Sequence, residues 1–187
     1  MKPYLACALI AAAATAAPAW ADLKPGTKAP DFRAQAYMAG KPFTYHLASE
    51  LKKGPVVVYF FPAAHTKGCN LEARLFSEAA DDFKAQGASI IGVTAGKTAE
   101  LADFSKETEH CGGKFPVAAD PGAKIAKTYD TKLNLPASAA MGDISGRTSY
   151  VVAPDGKILL AYDELKPDEH VTRTLDAVKA WKASKKK

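Results

Sequence analysis

Six consecutive apolar residues, Val56 to Phe61, constrain this 187-residue chain more than any other stretch. All six are β-branched or aromatic: Val56, Val57, Val58, Tyr59, Phe60 and Phe61. Such a run has no polar side to turn to water, so it predicts a strand buried on both faces inside a sheet covered by helices. Pro62 ends it, because proline has no N–H to give to a ladder. A short loop follows, Ala63 to Gly68, and then Leu71, Leu75, Phe76, Ala79 and Phe83 recur at helical spacing. The stretch reads as strand, loop, helix, with Cys69 near the first helical turn. Unpaired backbone N–H groups and the positive end of the helix dipole stabilise a thiolate at such a place.

The rest of the chain supplies a frame of the same kind. Asp31 to Leu47 carries a turn signal at Met38 to Pro42 and predicts an antiparallel hairpin. Ser49 to Gly54 reads as a short helical turn. Ala88 to Val93 is a second buried strand. Thr98 is placed to cap a second helix, with Leu101 and Phe104 on its apolar side and its end near Cys111, where Gly112 and Gly113 break it. Phe115 to Ala119 is a third strand and Ala123 to Tyr129 a short helix. Leu133 to Gly146 has no period and reads as an excursion along one end of the sheet. Ser149 to Ala153 and Ile158 to Tyr162 form a hairpin around Pro154-Asp155-Gly156-Lys157. Pro167 and Asp168 open a last helix with Val171, Leu175, Val178 and Trp181 on its packing face. The order is that of an α/β domain of three layers on a mixed sheet, parallel units first and an antiparallel edge last.

The first residues stand apart from this domain. Lys2, the apolar run Leu5 to Ala17 and the small-x-small Ala19-Trp20-Ala21 have the form of a secretory signal, with cleavage after Ala21 and a domain over 22–187. The apolar run is short for a bilayer span. Export to a bacterial periplasm is the expectation, with no stable membrane insertion. Loss of Lys2 takes the formal charge from +5 to +4. Much of the excess is a lysine tail, Lys182, Lys185, Lys186 and Lys187, with no aromatic interleaving, so nucleic-acid binding is set aside. Cys7 goes with the signal, and Cys69 and Cys111 remain. An oxidising compartment permits a disulfide between them. There is no C-x-x-C, hence no thioredoxin-type dithiol.

The loop argues that Cys69 is a reactive thiol and not an inert core cysteine. Thr66 can place a hydroxyl near the sulfur, Gly68 admits close backbone approach or an unusual conformation, and Pro62 stiffens the loop start. A thiolate favours a fixed cation. Arg147 directly precedes the fourth strand, a plausible neighbour of the first, and could reach the loop; its bland role is a surface ion pair. His46, His65, His110 and His170 show no metal-ligand spacing. His110 beside Cys111 is weighed as structural or redox and not as a ligand, so no metal and no cofactor is expected.

These residues carry a resemblance. Pro62-x-x-x-Thr66-x-x-Cys69 is similar to the active-site signature of the peroxiredoxins, the alkyl hydroperoxide reductase/thiol-specific antioxidant family. Glu72 matches a glutamate often found three residues after the cysteine. Arg147-Thr148-Ser149-Tyr150-Val151-Val152 resembles the family's arginine and its strand. Ala29-Pro30-Asp31-Phe32, Phe115 to Asp120 and Asp155-Gly156-Lys157-Ile158 extend the match over about residues 24 to 182. Gly68-Cys69 and the compact C-terminus point to the bacterioferritin-comigratory, or Q-type, branch. The resemblance implies a thioredoxin-like fold with an N-terminal β-hairpin extension. It implies thiol-dependent reduction of hydrogen peroxide and organic hydroperoxides through a sulfenic acid on Cys69. Thr66, Arg147 and Pro62 serve the reacting centre, and Glu72 and Gly68 support it. A thioredoxin-like or other dithiol would be the reductant, and the protein a monomer or weak dimer. The sequence departs from the family at Lys67, where many members have proline, and at Arg74, where many Q-type members carry a resolving cysteine. Cys111 is the internal candidate for that role; the rival is a one-cysteine enzyme resolved by an external thiol. A redox or electron-passing protein on the same fold, without peroxidase activity, is the alternative function.

Overall fold

The computed structural model describes residues 23–133 and 143–185. The expected signal and most of the excursion between Leu133 and Gly146 lie outside the described residues. The buried run forms strand β3 (Val56–Phe60), every residue of it inaccessible to solvent. Beside it stand β4 (Ser89–Thr94) and β5 (Val117–Ala119), paired in parallel as the βα order requires. On its other side run β6 (Thr148–Val152) and β7 (Ile158–Asp163), both antiparallel. The hairpin of β1 (Arg33–Met38) and β2 (Lys41–His46) joins the opposite edge, β1 pairing antiparallel with β5. The sheet order is β2-β1-β5-β4-β3-β6-β7. It is the expected mixed sheet, with β3 inside it between β4 and β6.

Alternation along β3 divides the core. Val56, Val58 and Phe60 pack with Leu47 and Leu51 of α1 (Leu47–Leu51) and Ala126 of α5 (Lys124–Thr128). Val57, Tyr59 and Phe61 pack under α2 (Lys67–Glu78), α3 (Ala80–Ala85), α4 (Leu101–Lys106) and α6 (His170–Ser184). Two apolar layers on one sheet give the three-layer architecture. Among the described residues no helix is long and apolar enough to cross a membrane.

Several local expectations are corrected. The buried stripe of α2 is Cys69, Glu72, Ala73 and Phe76, while Leu71 is 42% exposed. Counting apolar residues misplaced the face, because a carboxylate occupies the stripe. The helix also breaks at Ala79, so Phe83 belongs to α3. Thr98 caps no helix: it lies in a single 3-10 turn, Thr98–Glu100, entered through left-handed Lys97. α4 stops at Lys106, because Glu107 turns extended, and Cys111 sits in the turns that follow, not at a helix end. The last helix starts at His170, and its fully buried positions are His170, Thr174 and Val178.

Candidate active site

Register alone brings the reactive groups to one end of the sheet. Because β6 runs antiparallel to β3 with Thr148 opposite Phe60, the residue before Thr148 lies beside the loop that leaves β3. That residue is Arg147, and the loop leads to Cys69 in the first turn of α2. Both are nearly sealed from solvent, Cys69 at 2% and Arg147 at 5% exposure. The guanidinium is held from three sides. Its Nη2 donates to the Cys69 Sγ at 3.4 Å, its Nε to the Leu165 carbonyl at 2.8 Å, and its Nη1 to a Glu72 carboxylate oxygen. Arg147 is therefore no surface ion pair. Its planar fork matches this many-sided use better than a lysine would.

Gly68 makes the contact geometrically open. A Cβ there would stand 3.1 Å from Arg147 Nη2. Gly68 does not have a left-handed φ, so close approach, and not an unusual backbone, is the reason for glycine. Thr66 ends the loop as the residue before α2, and its hydroxyl donates to the Ala63 carbonyl at 3.0 Å. The hydroxyl proton is thus spent on the loop's own backbone. The Pro62 carbonyl is anchored by the Thr94 hydroxyl at 3.1 Å. Ser145 donates to the Phe61 carbonyl at 2.8 Å, which fixes the strand end below.

Behind Arg147 lies a buried group the sequence did not single out. His170, fully buried, lies with its Nδ1 2.8 Å from the Ser149 hydroxyl and its Nε2 2.8 Å from the Glu164 carbonyl. A carbonyl only accepts, so Nε2 carries the proton, and the neutral ring takes the Ser149 hydroxyl proton at Nδ1. Burial lowers the His170 pKa, in keeping with that neutral form. Nδ1 is also 3.6 Å from Glu72 Oε1, an oxygen with no hydrogen-bond partner among the described residues. Burial pushes the Glu72 carboxyl up to about 8, against the opposing pull of Arg147. A carboxyl reluctant to ionise leaves the guanidinium charge only partly spent on its neighbour. The signal for His170 was its place on the inward side of α6, but a histidine on a packing face reads as core without its partners.

Cys111 is a free thiol, as is Cys69, and both belong to the core layer under α2. Burial raises the Cys111 pKa, with Glu107 nearby adding to it. A groove of about 550 Å³, lined by Met38, Phe43, Tyr45 and Ile90 among others, lies by the start of β4, away from this chemistry.

Against known proteins, the family model described as the AhpC/TSA family matches residues 25–161. The chain belongs to the AhpC/TSA family. Within that family, chloroplastic relatives it matches in sequence are of the Q type. It is 30% identical over 135 residues to peroxiredoxin Q, chloroplastic, of Sedum lineare, covering 72% of this chain and 68% of that protein. It is 32% identical over 128 residues to the peroxiredoxin Q, chloroplastic, of Oryza sativa subsp. japonica, of which the chain spans only 55%. The crystal structure of the peroxidoxin BcpB of Mycobacterium tuberculosis superposes with a TM-score of 0.73 at 27% identity, over 84% of this chain and 97% of that one. A reduced 2-Cys peroxiredoxin of Plasmodium vivax gives 0.74 at 19% identity, over 87% and 99%, and speaks for the fold alone. The chain is thus a Q-type peroxiredoxin of the AhpC/TSA family with the thioredoxin-like fold of its neighbours.

Proposed function

We propose that this peroxiredoxin reduces hydrogen peroxide and organic hydroperoxides with Cys69 as the nucleophile and Arg147 as the group that orients the peroxide. The observation that carries the reading is the guanidinium held at 3.4 Å from a sulfur in the first turn of a helix. The Cys69 thiolate attacks the terminal peroxide oxygen. The O–O bond breaks, a sulfenic acid forms, and the leaving oxygen takes a proton to depart as water or an alcohol. Arg147 Nη2 and the N–H groups at the start of α2 face the negative charge that passes from sulfur to oxygen. Pro62 and Thr66 fix the loop over the sulfur. Glu72 and the Leu165 carbonyl aim the arginine and do not react.

The sulfenic acid then needs a thiol before further oxidation traps it. Cys111 supplies it: its sulfur displaces water from Cys69 and a disulfide forms, which a thioredoxin-like dithiol reduces. A disulfide needs Cα atoms within about 7 Å. Cys111 is buried in turns 107–114, with Gly112 and Gly113 in left-handed conformations. Opening that turn segment is the movement resolution requires. Residues 1–21 act as an export signal, which places the mature chain in the bacterial periplasm.

Stopped-flow mixing of reduced protein with hydrogen peroxide is expected to show one fast turnover per chain, far faster than a free thiol. Cys69→Ser abolishes it, and Arg147→Ala, which keeps the fold, slows it. A wild-type rate equal to that of a free thiol would sink the proposal. A non-reducing peptide map after one equivalent of peroxide should show a linked Cys69–Cys111 peptide from monomer, and an N-terminal peptide beginning at Asp22 in protein from its native host. Oxidised Cys69 beside free Cys111 removes the resolving role. A retained Met1 removes the export role.

A further inference from the structure

One cluster beside the active-site loop is unused by the peroxide chemistry. It joins His65 of the loop to Glu107 and His110 of the segment before Cys111. His65 Nε2 lies 2.9 Å from Glu107 Oε2, and His110 Nε2 lies 3.2 Å from the same oxygen. The three donor atoms fall within 4.8 Å of one another. A tetrahedral zinc site with bonds of about 2.0–2.2 Å sets its donors roughly 3.3 Å apart; the two pairs that share the Glu107 oxygen stand close to that spacing already, and the imidazoles need only draw together within the 4.8 Å limit. The second nitrogen of His65 is held by Glu100 at 2.7 Å. A carboxylate on the far nitrogen is the usual support of a metal-bound imidazole, fixing its tautomer and orientation. His110 is 7% exposed and packs on Phe104, with ring centroids 4.7 Å apart. Its Nδ1 has no hydrogen-bond partner among the described residues. Glu107, at 38% exposure, leaves the cluster open to solvent and so to an entering ion.

We propose that His65, His110 and Glu107 bind a divalent transition-metal ion of the zinc type, with Glu100 holding the His65 ring. Two imidazole nitrogens and one carboxylate oxygen are a donor set zinc takes with a fourth position left for water. The sequence spacing gave no hint of it, since the donors lie 42 and 3 residues apart along the chain and meet only through the fold. The ion would clamp the loop that ends at Cys69 to the segment that contains Cys111. It therefore opposes opening of turns 107–114, by preferential binding to the closed form. This consequence rests on the peroxidase reading; ion binding does not.

Titration of the untagged, reduced protein with Co²⁺, followed by visible absorption, tests the site. One equivalent should give the spectrum of a four-coordinate ion, displaced by Zn²⁺. His65→Ala and Glu107→Gln, at partly exposed positions, should each weaken binding at least about tenfold, and Glu100→Gln about tenfold. His110→Ala should abolish it in protein whose circular dichroism matches wild type. No spectrum in wild type, or unchanged affinity in His65→Ala and Glu107→Gln, overturns the proposal. So does an intense near-ultraviolet sulfur-to-cobalt band, which would put the ion on a cysteine. With Zn²⁺ bound, oxidation of Cys69 by peroxide should proceed unchanged while the Cys69–Cys111 disulfide forms several-fold more slowly. Equal rates of disulfide formation overturn the clamp. Protein that binds Co²⁺ through these residues but ignores peroxide would sink the peroxidase reading and leave the metal site standing.

Discussion

At Gly68 one missing carbon separates stability from activity. The residue lies within α2, where alanine is favoured over glycine by roughly 0.5–1 kcal/mol. Its φ is not left-handed, so the backbone tolerates a side chain. Yet the added Cβ would press on Arg147 Nη2 at 3.1 Å, and the guanidinium is pinned by the Leu165 carbonyl and by Glu72. Gly68→Ala is expected to leave the melting temperature unchanged or higher while slowing the peroxide step roughly tenfold, since misplacement by 1 Å can cost about 100-fold. Thermal melts and stopped-flow rates on the same sample check both halves. A variant as fast as wild type would mean that the arginine yields freely. Cys69 and Arg147 were readable from local pattern, a cysteine after a buried strand and an arginine before one. The inward Glu72 was readable only as a motif position. Its burial, and Leu71's exposure, contradict the apolar count and follow from the hydrogen bond that Arg147 donates to it.

Elements were legible where an apolar run or a turn signal decided them. The hairpins form where expected, and β3, β4 and β6 fall within a residue of where expected, because each of these three rests on an apolar run with a proline or glycine within two residues of at least one end. The helix ends were not legible: α4 stops at Lys106 because Glu107 turns extended, and no residue type announces that. Gly92 shows what the pattern hid. It faces Tyr59 across the β3–β4 pair, and a Cβ there would lie 2.7 Å from the Tyr59 ring and hydroxyl. The ring cannot retreat, since it stacks on Phe76 of α2 at 4.5 Å and on Phe61 at 5.4 Å. A glycine inside a strand marks such an approach. Gly92→Ala should therefore destabilise by about 1–3 kcal/mol, the usual cost of overpacking. Urea unfolding would show a lower midpoint with an unchanged slope. A midpoint equal to wild type would show that the Tyr59–Phe76 stack gives way. Because α2 carries Cys69 beyond Phe76, the same variant should also slow the peroxide step.

Over the whole molecule, the site sits where the chain's order put it: past the C-terminal ends of parallel β3 and β4, with antiparallel β6 returning Arg147 to the same end. That much follows from strand order. The buried line Cys69, Arg147, Glu72, His170 does not, since its members come from two helices and the loop before β6 and meet only through packing. This line links stability to pH with two opposite signs. Burial lowers the His170 pKa below its ordinary 6.5, so its contribution is present above that value and is lost as pH falls through the folded value. Glu72 is raised from 4.5 to about 8, so its contribution is present below 4.5 and is lost as pH rises toward 8. Below pH 6.5, as far as the folded value of His170, the two oppose each other, and above 6.5 Glu72 acts alone. The groups facing His170 are Ser149, Glu72, the Tyr162 ring and the Glu164 carbonyl, with the charge of Arg147 acting on it as well. Urea midpoints measured from pH 5 to pH 8 in wild type, His170→Gln and Glu72→Gln separate the terms, because every other titrating group cancels in the differences. Relative to wild type, His170→Gln should gain stability at the acid end and keep the decline toward pH 8. Glu72→Gln should lose that decline and fall more steeply below pH 6.5, while its amide oxygen can still accept from Arg147. Difference profiles that are flat for both variants would mean that neither group changes its proton affinity on folding, and that the line behind Cys69 is held by packing alone.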